Sequence, residues 1–182
     1  MSKIATPNEV LSFWKKAGPK RWFKTDPKFD HRILERFLIT HQAAGLGKLA
    51  RWEEKAESTL ALVIVLDQFP RNMFRGTARA FATDTLALAA AKRAIARGFD
   101  RKIKSPMQSF FYLPFEHSEN LADQETALKL YEATKDKENV RWAKLHYDTI
   151  KQFGRFPHRN EILGRVSTAE EIAFLDGGGF RA

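Results

Sequence analysis

Seven consecutive apolar residues, Leu60 to Leu66, form the longest uninterrupted hydrophobic run in the chain and constrain its fold more than any other feature. The Glu-rich lead-in with Ala56 and Glu57 favours helix over strand, so Glu53 to Gln68 is predicted to be one helix, apolar on nearly every side in its second half. A helix of that kind has to be enclosed by other elements. Seven residues also fall far short of a membrane span.

Helix start and stop signals recur on both sides of this run. Thr6-Pro7-Asn8-Glu9 reads as a capping box with Pro at the first helical position, opening a helix that carries Val10, Leu11, Phe13 and Trp14. Asp26-Pro27 opens a second, with Phe29, Ile33, Phe37 and Thr40 at three- and four-residue spacing until Gly45 stops it. Thr83-Asp84 is predicted to cap an Ala-rich helix ending at Arg97 and Gly98. Further helices are predicted over about Leu121 to Thr134, over Glu138 to Phe153, and from the capping box at Thr168. Hairpin signals such as Asn-Gly between alternating runs are missing. The expected fold is therefore all-α, a compact array of antiparallel helical hairpins in a single domain over residues 1–182. Gly177 to Gly179 are expected to begin a flexible tail.

Cysteine is absent, which removes disulfides, thiolate zinc sites and a cysteine nucleophile. Met1 to Pro7 contain no apolar leader segment, so the cytoplasm is the expected location. His-Glu-x-x-His, phosphate loops, dinucleotide fingerprints and Gly-x-Ser-x-Gly elbows are all missing, and neither a metal nor a cofactor is expected. The formal charge of +9 makes an anionic partner worth considering. Lys/Arg outnumber Asp/Glu by 15 to 9 in residues 1–91 and by 16 to 13 in residues 92–182, so no basic tail exists. Two denser groups stand out: Lys15, Lys16, Lys20, Arg21 and Lys24 among aromatics, and Lys92 to Lys104. No recognised nucleic-acid motif accompanies either, and a solvated face is the simpler reading.

Three motifs could carry chemistry. In Leu66 to Gly76, Pro70 is expected to end the buried helix, so that Arg71 and Asn72 emerge on a fixed turn; Arg71 could hold an anion or simply pair with Asp67. In Phe110 to Asn120, Phe110, Phe111, Tyr112 and Phe115 surround Pro114, and His117 beside Glu116 or Glu119 could act as a general base. Ser118 or Asn120 there could equally cap the next helix. The third motif has His146 on the inward stripe of Ala143, Ile150 and Phe153, followed by Arg155, His158, Arg159 and Asn160 in a loop with Gly154 and Pro157.

With these motifs the chain resembles a bacterial family catalogued as domain of unknown function 924. The resemblance rests on Val10 to Trp14, Arg21 to Phe23 with Phe29-Asp30, Leu66 to Gly76 and Ala80 to Asp84, then on Tyr112 to Glu119 with Asp123-Gln124, and Phe153 to Glu171. Lys15 departs from it, where another aromatic would be expected. The resemblance implies a tetratricopeptide-like helical fold and no established activity. Two functions are open. In one, Asp67, Arg71, Asn72, His117, Glu119, His146, Arg155, His158, Arg159 and Asn160 meet in a polar pocket for a small anionic ligand, with catalysis left open. In the other, the chain is a helical module that binds a peptide or protein by a groove.

Overall fold

The computed structural model describes residues 3–181; Met1 and Ser2 of the opening segment, and Ala182, lie outside the described residues. Every regular element among the described residues is helical: α1 (Pro7–Ala17), α2 (Pro19–Trp22), α3 (Pro27–Gly45), α4 (Ala56–Met73), α5 (Asp84–Ala96), α6 (Leu113–Glu116), α7 (Leu121–Thr134), α8 (Lys137–Phe153) and α9 (Ala169–Asp176). Short 3-10 turns lie between them, including Ala50–Glu54 and Pro157–Arg159. The chain divides into two units, the first ending at Pro114 and the second beginning at Phe115. No helix among the described residues is long and apolar enough to cross a membrane.

The first unit is built around α4, which is buried from Thr59 through Pro70. Its neighbours run antiparallel to it. Asp30 near the start of α3 meets Asn72 at the end of α4, and Asp84 at the start of α5 meets Arg71. Ala87, Ala90, Ala91 and Ala94 are buried on α5, and their small side chains permit close approach of helix axes. Aromatic rings fill the wider gaps: Phe37 lies 4.7 Å from Phe69, and Trp14 5.6 Å from Phe69. Burial of a large aromatic contributes about 2–3 kcal/mol by area, so this cluster carries much of the unit's core.

Most expected boundaries are found, because the caps are local. Thr6 and Glu9 form both bonds of the capping box, Asp26 accepts from two N–H groups of α3, and Thr168 with Glu171 forms the second box. In the second unit α7 and α8 are joined only by Lys135 and Asp136, which obliges the packed pair to be an antiparallel hairpin.

Pro70 corrects one expectation. Instead of ending the helix it lies inside α4, which continues to Met73. A proline there removes the N–H that the Leu66 carbonyl would accept and crowds that oxygen with its ring. The Thr83 hydroxyl supplies the missing donor, at 2.6 Å from the Leu66 oxygen. Thr83, at the cap position of α5, makes no side-chain cap bond. Its hydroxyl proton is spent across the hairpin. Thr83→Ala is expected to cost about 1–2 kcal/mol in urea unfolding, and the cost should shrink in a Pro70→Ala background, where the helix satisfies Leu66 itself. An equal cost in both backgrounds would show that the Thr83 bond does not compensate for Pro70.

Candidate functional site

The first motif lies wholly in the first unit. Arg71 reaches Asp84 with both terminal guanidinium nitrogens, at 2.8 and 2.9 Å, and its Nη1 also donates to the Asp67 carbonyl at 2.6 Å. The Asp67 carboxylate lies 3.4 Å from the same nitrogen and accepts from Gln68 at 2.5 Å. Burial opposes the charge on Arg71, but Asp67 and Asp84 outweigh it and raise its pKa above the ordinary value. Asn72 donates to Asp30 at 2.7 Å, and Arg75 bonds both oxygens of the same carboxylate. The arginine fork expected to meet a ligand is filled by an internal carboxylate, and Asn72 ties α4 to α3.

The polar end of the second motif, Glu116 to Asn120, and the third motif come together in the second unit. Asn120 caps α7 through the Ala122 N–H, and Gln124 donates to the carbonyls of Glu116 and Ser118, holding the Glu116–Asn120 segment in place. Glu119 accepts from the Phe156 N–H at 2.8 Å and from both terminal nitrogens of Arg165 at 2.7 and 3.0 Å. Its burial works against ionisation, but the bonds from Arg165 and Phe156 prevail and lower its pKa. Arg155 bonds both oxygens of buried Glu171, at 2.6 and 2.8 Å, and Asn160 donates to the same carboxylate at 3.1 Å. Chiefly through the Arg155 bonds, the Glu171 carboxyl is held at about 2, below its ordinary 4.5. Arg159 donates to the His117 carbonyl at 3.1 Å and stands over the Phe156 ring.

These clamps surround a group of histidines. His146 Nδ1 lies 2.9 Å from the buried Glu116 carboxylate and 2.9 Å from the Trp142 carbonyl. Both neighbours are acceptors, so Nδ1 carries a proton and the ring is fixed in orientation. The His146 ring is 6.5 Å from that of His117, 5.6 Å from Phe156 and 4.3 Å from Phe180. His158 packs 5.6 Å from Phe156 and 5.5 Å from Phe180, and its buried Nδ1 has no protein partner among the described residues. Burial first, then the charges of Arg159 and His146, push His158 from 6.5 down to about 4.

Phe180 follows the glycines expected to form a flexible tail. They make a hydrogen-bonded turn, Gly177 and Gly179 donating to the carbonyls of Ala173 and Phe174. A Cβ on Gly179 would lie 2.5 Å from the Phe174 oxygen and 2.6 Å from its ring, so only glycine fits this close approach.

Sequence reasoning placed Glu116 beside His117, but the structure pairs it with His146. Glu171 and Phe180 were missed as members of this cluster. The Thr168 capping box pointed only to a helix start, and nothing in the spacing linked Glu171 to Arg155 sixteen residues earlier. No group of three or more His, Asp and Glu side chains among the described residues is arranged to hold a metal ion.

An all-α protein whose second unit holds a histidine–carboxylate cluster is the class that fold and geometry define. The chain belongs to the bacterial family described as protein of unknown function (DUF924), which it matches over residues 10–179. It is similar to a solved structure of a protein of unknown function from Agrobacterium tumefaciens, with 46% identity, a TM-score of 0.92, and coverage of 94% of this chain and 97% of that one. No curated protein matches it.

Two outcomes follow from the clamps and the buried imidazole. Glu171→Ala strips the acceptor from Arg155, Asn160 and the Thr168 N–H together. It is expected to lower unfolding free energy by about 2–4 kcal/mol, more than Arg155→Ala, which leaves two of those donors satisfied. Equal losses would assign the stability to the arginine alone. The folded pKa of His158, about 4, lies below its ordinary 6.5, so the unfolded chain binds more protons between those values. Stability contributed by His158 is therefore unchanged above 6.5 and falls as pH drops through the window towards 4. For a partly exposed ring the loss from about pH 7 to about pH 5 should be on the order of 1 kcal/mol in urea titrations. His158→Gln should flatten that difference.

Proposed function

We propose that the His146–His158 cluster of the second unit binds a small anionic ligand and that His146, oriented by Glu116, exchanges a proton with it. The observation that carries this reading is the buried Nδ1 of His158, without a protein partner among the described residues, in a cluster whose other imidazole has its Nδ1–H fixed by a carboxylate. Buried polar atoms are nearly always paired, and a histidine base held in one tautomer by an acid is the arrangement that proton transfer requires.

The division of labour follows from the contacts. Glu116 and the Trp142 carbonyl hold the His146 ring by Nδ1 and leave Nε2 as the nitrogen that exchanges the proton. When Nε2 takes a proton from a ligand, the ligand gains one negative charge and the imidazolium that forms lies against the Glu116 carboxyl group. His158 is neutral at physiological pH and can donate a hydrogen bond from one ring nitrogen while accepting at the other. Arg165 Nε, also buried and without a protein partner among the described residues, adds one N–H donor in the same unit, the charge of that arginine being met by Glu119. Phe156 and Phe180 supply the apolar wall.

A second reading, a protein-binding surface, is favoured by Trp142 and Leu145, exposed together on α8. Titration of the protein with acetate, citrate and phosphate, each to about 10 mM, while following the imidazole proton resonances, separates the two. At least one probe should shift the His146 and His158 signals and raise the melting temperature. His158→Gln should abolish the thermal shift, and Glu116→Gln should weaken it and change the pH profile of the His146 signal. If no probe moves either imidazole, the ligand site is rejected and the interaction surface takes its place.

A further inference from the structure

We propose that a groove of about 740 Å³ between α1, α2 and α3 binds a small, multiply charged phosphate-bearing anion. Its rim carries Lys16 from α1, Lys20 and Arg21 from α2, and Arg32 and Arg36 from α3, with Phe13 in its lining. This site lies within residues 8–36 and goes beyond the histidine reading of the second unit.

Neutralisation is the first argument. No carboxylate among the described residues pairs with any of these five cations, although four acids lie in the same stretch of chain. Each acid is engaged elsewhere. Glu9 is bound by the Thr6 N–H and hydroxyl, with Lys3 at 3.6 Å; Asp26 caps α3; Asp30 takes Asn72 and Arg75; and Glu35 faces His31. Five like charges therefore border one concavity with a single carboxylate, that of Glu9, in its lining. Such clustering is unfavourable to the folded state unless a counter-charge is bound, and a concave site concentrates the field.

Two of the arginines are also preorganised. Arg36 stands 4.9 Å over the Phe13 ring and Arg32 5.6 Å over it. A cation–π contact braces a guanidinium without a carboxylate to neutralise it, so both arginines are held yet keep N–H groups for phosphate oxygens. The volume suits a small molecule rather than a long backbone, which would need a stripe of charge beyond the groove. A monocarboxylate would leave most of the charge uncompensated. Closely spaced phosphates, whether of a nucleoside polyphosphate or of inorganic polyphosphate, meet it.

Calorimetric titration of the full chain with inorganic tripolyphosphate, in about 50 mM NaCl, tests the site. Binding is expected, to weaken about tenfold or more in Arg32→Ala/Arg36→Ala and in Lys20→Ala/Arg21→Ala, and to weaken with added salt. His158→Gln should bind as the wild type does, which separates this groove from the histidine cluster. Running ATP beside tripolyphosphate distinguishes the two sources of phosphate: tighter ATP binding lost in the same variants assigns the nucleoside form, and equal binding the inorganic one. The proposal is overturned if tripolyphosphate does not bind or if both paired variants keep wild-type affinity. It is also overturned if a single-stranded oligonucleotide binds more tightly, with affinity that rises with its length, since that makes the face a nucleic-acid surface.

Discussion

The first unit depends on how α4 tolerates a proline while buried on all sides. An enclosed helix has no water with which to satisfy a broken backbone bond, so the Leu66 carbonyl had to find a donor within the protein. Thr83 provides it, and in doing so sets the start of α5 against the end of α4. The same end of α4 carries Asp67, Gln68, Arg71 and Asn72, and each finds a partner on α4 itself, α3 or α5. One covalent constraint thus accounts for a threonine hydroxyl turned across the hairpin, beside the contacts by which Asp84 clamps Arg71 and Asp30 holds Asn72.

Whatever depends on neighbours three or four residues away was legible in the sequence. Thr6, Asp26 and Thr168 mark helix starts because the groups they satisfy are adjacent. Ala143, His146 and Ile150 share a buried stripe because helical period alone sets their direction. Pro70 was misread for the opposite reason: its compensation comes from seventeen residues further on. The candidate site divides in the same way. His146, His158 and the Arg155–Asn160 loop were visible as chemistry-bearing residues, whereas the pairing of Glu116 with His146, of Glu119 with Arg165 and of Arg155 with Glu171 is long-range and leaves no local periodicity.

The motif arginines show why a residue type is a poor guide to its partner. Arg71 and Arg155 each present the planar fork that recognises carboxylates, and each has been met by a carboxylate of the chain itself. A fork satisfied by both oxygens of an internal acid has little left to offer a ligand, and displacing that acid would leave a buried carboxylate without its cation. This shifts the functional reading of the second unit from its guanidinium groups to its imidazoles. Those hold the polar valence that the clamps leave over, and the clamps fix the loop on which His158 is carried.

The net charge of +9 has to reside where cations lack partners. Arg71, Arg75, Arg93, Arg155 and Arg165 contribute little to the external field, because a bidentate carboxylate cancels each at short range. Arg32 and Arg36 differ in what holds them: a benzene ring fixes a guanidinium in place as a carboxylate does, but without neutralising it. Phe13 therefore does two jobs. It meets Phe37 and Phe69 in edge-to-face contacts in the core, while its lining of the groove keeps two positive charges ordered beside solvent. An apolar residue chosen only to fill the core would have left those arginines free to disperse, and a carboxylate in its place would have cancelled them.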